Sequence, residues 1–173
     1  VSLWSNDPLL AGNVPGAPRF CPVVQVTPHV FGAMGVLHDR KERNVYVSNF
    51  DRGSLVKIHV KRDGTAGRAV NVFEDCQYQG IKGLALNEAD GSIFATGQFT
   101  DTLYRIDPKE GSIAPFGPSG KPPYDSPSYP FVEKYGNGHR RLLVTNFART
   151  SFVANNNPLN NLSILALAVL AAL

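Results

Sequence analysis

From Gly35 onward, apolar and polar residues alternate with a period of two, not 3.6, which predicts short half-buried strands and no long helix. Val45, Val47 and Asn49 fall on one face of such a strand, and Tyr46, Ser48 and Phe50 on the other. Positions 55–60 and 69–73 continue in the same style. Turns with glycine separate the runs: Asp51-Arg52-Gly53, Arg62-Asp63-Gly64 and Pro108-Lys109-Glu110-Gly111. Glycine there supplies the positive φ that tight hairpins need. At the start, Val1-Ser2-Leu3-Trp4 predicts a short strand, and Asn6-Asp7-Pro8, Gly12, Pro15-Gly16 and Pro18 predict irregular chain as far as Pro22. Positions 23–26 read as strand-like before Pro28 interrupts. The stretch 115–130, rich in Pro, Gly and Ser, predicts a connection long enough to carry function.

The strands come in a repeated set. Gly35-Val36-Leu37, a polar turn, Val45-Tyr46-Val47-Ser48-Asn49-Phe50 and Ser54-Leu55-Val56-Lys57-Ile58 make the first copy. The second is Gly83-Leu84-Ala85-Leu86, the turn Glu88-Ala89-Asp90-Gly91, Ser92-Ile93-Phe94-Ala95-Thr96 and Thr102-Leu103-Tyr104-Arg105-Ile106. A weaker third copy is Leu142-Leu143-Val144-Thr145-Asn146-Phe147. Val47 and Ala95 lie 48 positions apart, and Ala95 and Val144 lie 49 apart. Short strands repeating every ~40–50 residues are the signature of β-propeller blades. The expected fold is therefore all-β: a propeller of the six-bladed type with antiparallel four-stranded blades, of which three to three and a half are present. Residues 1–30 would be the end of a preceding blade plus a loop, 31–76 and 77–125 a blade each, and 126–173 a last, divergent blade.

Six blades of about 45 residues need about 270 residues, so 173 cannot close a ring alone. The first expectation is an N-terminal portion outside this sequence; a second chain completing the ring and a degraded copy are the alternatives. An open set of blades leaves apolar faces and strand edges uncovered, which invites pairing.

Composition narrows the classes. Hydrophobic residues make up 43% and charged residues 18%, a globular balance that excludes wholesale disorder. Sixteen glycines and thirteen prolines suit a chain with many turns. The net charge of +3 is small, and the 17 Lys and Arg, with groups at 57–62 and 139–141 among them, make no basic footprint, so no nucleic-acid partner is expected. Cys21 and Cys76 have no metal-like spacing; they make either one disulfide, the preferred reading, or two buried thiols. The four histidines show no ligand spacing. Val1 opens without a charged and apolar leader, so any signal peptide is removed or was never included. The uncharged end, 162–173, is short for a membrane span of about 20 residues. It reads as the closing strand of the last blade, as the tail of a GPI-type signal, or simply as the point where the sequence stops. Membrane association is expected only on the second reading.

Several of these motifs, in order, resemble a known family. Leu3-Trp4-Ser5-Asn6-Asp7-Pro8-Leu9-Leu10, then Phe31-Gly32-Ala33 with Gly35, Val45-Tyr46-Val47-Ser48-Asn49 and Asp63-Gly64-Thr65-Ala66-Gly67 resemble the SMP-30/gluconolactonase/LRE-like six-bladed propellers. The likeness runs from residue 1 to about residue 167 and implies the C-terminal half of such a propeller.

The resemblance implies a lactone or ester hydrolase with one divalent cation at the mouth of the central channel. The ion is held by oxygen ligands, as suits Ca2+ or Mg2+, with Ca2+ or Zn2+ named for relatives. Some ligands would come from the residue just before the innermost strand, Asn in an A/S-N-G motif and Asp in a D-G motif. Here those places read Ala33-Met34-Gly35 and Ile81-Lys82-Gly83, with Ser128-Tyr129 as the third equivalent and Asp125 close by. A thioether is a poor partner for a hard cation, and an ammonium repels one. The metal site is therefore expected to be absent or remodelled, with no catalytic residue assigned. Met34, Lys82, Ser128 and Asp125 remain as channel-mouth candidates. Packing for Met34 and a structural pairing for Lys82 are the plainer roles. The expected function is a divergent or non-catalytic propeller with a binding or scaffold role, with a small molecule as a candidate partner. The alternatives are a hydrolase with a remodelled site, for example Asp125 with Asp101 or Asp107, and a secreted, surface-associated protein. An extracellular location is expected, with the cytoplasm not excluded.

Overall fold

The structure is a computed structural model that describes residues 2–14, 16–22, 31–118, 124–136 and 138–147, with the backbone of 163–167. The strand-like reading of 23–26 lies outside the described residues. The chain divides into two compact units, Val1–Ile81 and Lys82–Leu173.

The first unit is one antiparallel sheet in the order β1 (Ala33–Asp39), β2 (Asn44–Asn49), β3 (Ser54–Val60) and β4 (Ala66–Glu74). Val47, Val56, Ile58 and Ala69 are buried on one face, joined by Val45 and Ala66 and by Leu9 and Leu10 of the N-terminal segment. Fully burying a Val or Ile side chain stabilises by about 1.5–3 kcal/mol. Leu9 and Leu10 sit on a 3-10 turn, Pro8–Leu10, capped by Asp7. The predicted strand at 1–4 does not form among the described residues 2–4. Pro8 and the Asp7 cap turn the chain, and the segment is bound through side chains instead of a ladder.

The hairpin turn between β2 and β3 does that binding. Asn49, fully buried, donates from Nδ2 to the carbonyls of Leu9 and Ala11, both at 2.9 Å. Asp51, also buried, accepts the Asn13 N–H at 2.8 Å. On the other side the turn meets residues 75–80: Asp75 N–H donates to the Gly53 carbonyl at 3.2 Å, and Gly80 N–H to that of Phe50 at 2.9 Å. Gly53 has φ +61°, and an added Cβ would stand 2.3 Å from the Asp75 carbonyl oxygen. No other residue fits there. A Cys21–Cys76 disulfide, Cα–Cα 5.4 Å, ties the two flanking segments together.

The second unit holds two antiparallel sheets. One has the order β5 (Ile81–Leu86), β6 (Ile93–Gly97), β7 (Thr102–Asp107) and β8 (Ser112–Pro115). The other has the order β11 (Ser163–Leu167), β10 (His139–Asn146), β9 (Pro127–Tyr135). Phe94, Leu103, Tyr124, Leu142 and Val144 bury one another, with Phe116 and Val132 packed against them. Positions 127–130, predicted as connection, are the start of β9 instead. Described pairing of β9 is to β10 alone, and a strand bonded on one side tolerates Pro127 and Pro130, which have no N–H to offer. Residues 163–167 form a strand, as the first reading of the apolar end expects, pairing Ser163 with Asn146 through to Leu167 with Leu142.

One hydrogen bond recurs in all three sheets. A hydroxyl on the second strand accepts an N–H from the start of the first: Gly35 to Ser48 at 2.8 Å, Gly83 to Thr96 at 3.0 Å, and Tyr129 to Thr145 at 3.1 Å. The acceptors stand 48 and 49 positions apart, so the sequence period is carried into the bonding.

Candidate functional site

Met34, Lys82 and Ser128 each occupy the second position of the first strand of a sheet, in β1, β5 and β9. Met34 is half-buried in the first unit. In the second unit Lys82 and Ser128 meet: Lys82 Nζ donates to Ser128 Oγ at 2.9 Å. The same ammonium stands 5.5 Å from the centroid of the Tyr129 ring, within cation–π range. Burial pushes the Lys82 pKa below its ordinary value.

The two strand starts are held firmly. Thr96 Oγ1 donates to the Ser128 carbonyl at 2.8 Å while accepting the Gly83 N–H. Thr145 Oγ1 accepts the Tyr129 N–H and donates back to its carbonyl at 3.3 Å. Gly83 lies against β9: a Cβ there would come within 2.4 Å of the Ser128 carbonyl oxygen and 2.6 Å of Tyr129 Cα. That close approach sets the reach of Lys82 to Ser128.

Asp125 is buried just before β9, and its N–H donates to Asn146 Oδ1 at 3.4 Å. The next residue, Ser126, has φ +53° and donates its N–H to Asp101 Oδ1 at 2.7 Å. Asp101 itself has φ +46°. Asp101, in the β6–β7 turn, is thus bonded to the residue that follows Asp125. Asp107 has a different task, accepting the N–H groups of Lys109 and Glu110 at 2.8 and 3.2 Å in the β7–β8 turn. An open hollow of about 510 Å3 borders that turn, crossed by an Arg105–Asp90 ion pair at 2.5 Å.

An ammonium hydrogen-bonded to a hydroxyl is no cage for a hard divalent ion, which wants several oxygen ligands and negative charge. Among the described residues no group of three His, Cys, Asp or Glu side chains converges as a metal site. Sequence reasoning singled out Lys82 and Ser128 separately and missed their pairing. The available signal was their matching places in two strands 46 positions apart. It also missed Asn49 and Asp51, polar residues within an apolar stretch that bind a distant segment.

No family model matches this sequence, and comparison with curated proteins gives no match. Solved structures do match. A chain of a nidogen/laminin complex is 14% identical with a TM-score of 0.55, the match covering 71% of this chain and 43% of that one. The calcium structure of a Trichoderma reesei carbohydrate-active enzyme of family AA12 is 13% identical with a TM-score of 0.51, covering 92% of this chain and 43% of that one. This chain thus spans less than half the length of either. At such identities the likeness concerns fold alone: the neighbours are β-propellers, and this chain is built of antiparallel sheets of that type.

Proposed function

We propose that this propeller-type chain is a divergent relative of the SMP-30/gluconolactonase/LRE-like group that acts as a binding or scaffold module, without metal-dependent hydrolysis. The observation that carries this reading is the Lys82–Ser128 pair, at positions where the family resemblance calls for metal ligands. A positive charge fixed there opposes a cation, and a methionine at the matching position of β1 offers only a soft sulfur. The Cys21–Cys76 bond supports an oxidising, extracellular setting.

Thermal melts with Ca2+, Mg2+ or Zn2+ test it. A cation binding with a Kd of about 50 μM, present at about 5 mM, would add ~2.7 kcal/mol of apparent stability. The expected result is an unchanged melting temperature and no turnover of gluconolactone or aryl esters. A rise of several degrees together with chelator-sensitive turnover overturns it. One observation favours the second reading, a hydrolase with a remodelled site: Asp101 is bonded to Ser126, the neighbour of the buried Asp125. In that case Asp101→Asn would abolish the cation-dependent rise.

A further inference from the structure

We propose that one end of the sheet in the first unit is a docking surface for a sulfated polysaccharide. This goes beyond the reading above, concerns a different part of the chain, and shares with it only the oxidising setting that the Cys21–Cys76 bond supports.

The fold assembles a charge that the sequence leaves in two pieces. In the order β1-β2-β3-β4 the β1–β2 and β3–β4 turns fall at the same end of the sheet. Arg43, at φ +55° in the first turn, joins them: Nη2 donates to the Lys61 carbonyl at 2.5 Å and Nε to that of Val60 at 3.3 Å. Residues 38–43 and 61–68 thereby bring six Lys and Arg together against three acidic residues. The other 11 Lys and Arg of the chain are matched by 11 Asp and Glu, so the whole formal charge of +3 belongs to this end. Arg40, Lys41, Arg43, Lys61, Arg62 and Arg68 are all exposed. Ion pairs among the described residues engage Arg52, Arg105, Lys134 and Arg141 instead. Two of the three carboxylates are occupied within their own turns. Asp39 accepts the N–H groups of Lys41 and Glu42 at 3.0 and 3.1 Å, and Asp63 accepts the N–H and hydroxyl of Thr65 at 3.0 and 2.7 Å.

The arrangement selects the partner. Each cation is exposed, so a single small anion gains little from any one of them. A polymer whose anionic groups repeat along its length meets several at once, and every contact after the first is intramolecular. The guanidinium forks of Arg40, Arg62 and Arg68 suit tetrahedral oxyanions such as sulfate. A disulfide-bonded chain works away from the reducing cytosol and from the anionic leaflet that faces it, where the repeating polyanion on offer is a sulfated polysaccharide. Trp4 adds a surface for a sugar ring. Its indole N–H is taken by the Gly64 carbonyl at 2.9 Å, and the residue stays 40% exposed beside the β3–β4 turn.

A heparin oligosaccharide is the probe for the whole chain, with its desulfated form, duplex DNA and phosphatidylserine vesicles alongside. Trp4 is the only tryptophan in the sequence, so its fluorescence reads this end directly. Heparin should bind, and its affinity should fall about 20–50-fold between about 50 and about 200 mM salt, as three or four ionic contacts predict. The double variant Lys41→Gln, Arg62→Gln should bind about tenfold more weakly. Lys109→Gln, which removes a charge from the β7–β8 turn, should leave the affinity unchanged. Should the double variant fail to fold, trace acetylation of the unmodified protein replaces it: heparin should slow modification of Lys41 and Lys61 relative to Lys109. Salt-insensitive binding, desulfated heparin, DNA or vesicles binding as tightly as heparin, undiminished affinity in the double variant, or unprotected Lys41 and Lys61 overturns the proposal. Absence of heparin binding overturns it too, whatever the cation melts above show.

Discussion

The two units solve the same problem, covering a small antiparallel sheet, by different means. In Lys82–Leu173 one sheet covers another, with Phe94 and Leu103 packed against Leu142 and Val144 and Tyr124 filling the same core. In Val1–Ile81 the single described sheet is covered by Leu9 and Leu10 from an irregular segment. Among the described residues no ladder holds that segment. Asn49, Asp51, Trp4 and a disulfide do so instead, the Trp4 indole N–H donating to the Gly64 carbonyl at 2.9 Å. Arg52 adds a guanidinium 3.6 Å over the Phe20 ring, next to the bridged Cys21. A covering sheet carries its own ladder, whereas a covering loop is held in place by side-chain bonds and a disulfide.

The sharpest way to break this contrast is to empty the sheet-on-sheet core. Phe94→Ala should cost ~3–5 kcal/mol, and hydrogen exchange should rise first in β6, β7 and β10. Exchange rising equally throughout the chain would show that the units are not separately cooperative. Next comes reduction of Cys21–Cys76, whose ends are 55 positions apart. A loop of that size predicts a loss of about 4 kcal/mol, read by denaturant melts with and without a thiol reductant. The loss should concentrate in 1–81, and a loss falling on β9 and β10 would refute the assignment of staples to the first unit.

Asn49→Ala should cost about 2 kcal/mol, because the carbonyls of Leu9 and Ala11 lose their shared donor. Thr145→Val, which removes the hydroxyl bond that recurs in each sheet from its copy between β9 and β10, should cost about 1 kcal/mol. Comparing the two melts tests whether side-chain staples matter more where a loop supplies the cover.

The smallest effect has the opposite sign. Tyr124 is fully buried, and its hydroxyl has no hydrogen-bond partner among the described residues. Tyr124→Phe should therefore stabilise by about 1 kcal/mol. Burial also pushes the Tyr124 pKa up to about 12. The unfolded chain releases that proton from about pH 10, while the folded one keeps it until about pH 12. Stability from this residue is complete below pH 10 and lost as the pH rises through that window. Tyr124→Phe should flatten the alkaline fall, and an unchanged fall would show that Tyr124 ionises with the exposed tyrosines.

Much of the architecture was legible in the chain itself. Alternation at Val45–Phe50 and Ile93–Thr96 gave strands, Asp63-Gly64 and Lys109-Glu110-Gly111 gave hairpins, and the spacing of 48 and 49 residues gave repeated sheets. Such signals are local or periodic, so they survive without coordinates. Pro127 and Pro130 misled because proline argues against a strand unless one knows which edge lacks a partner. Residues 2–4 misled because apolar spacing does not reveal whether a ladder is on offer.

The site divides along the same line. That Met34, Lys82 and Ser128 hold matching places is a fact of sequence order. That Lys82 lands on Ser128 depends on the close approach of Gly83 to the β9 backbone, a contact across 46 residues. Likewise, alternation placed Asn49 on a strand, and only the folding decided that its amide would capture Leu9 and Ala11. Periodicity fixes which way each side chain leaves its strand; which distant backbone it then meets is set by how sheets and loops pack, and no local pattern encodes that distance.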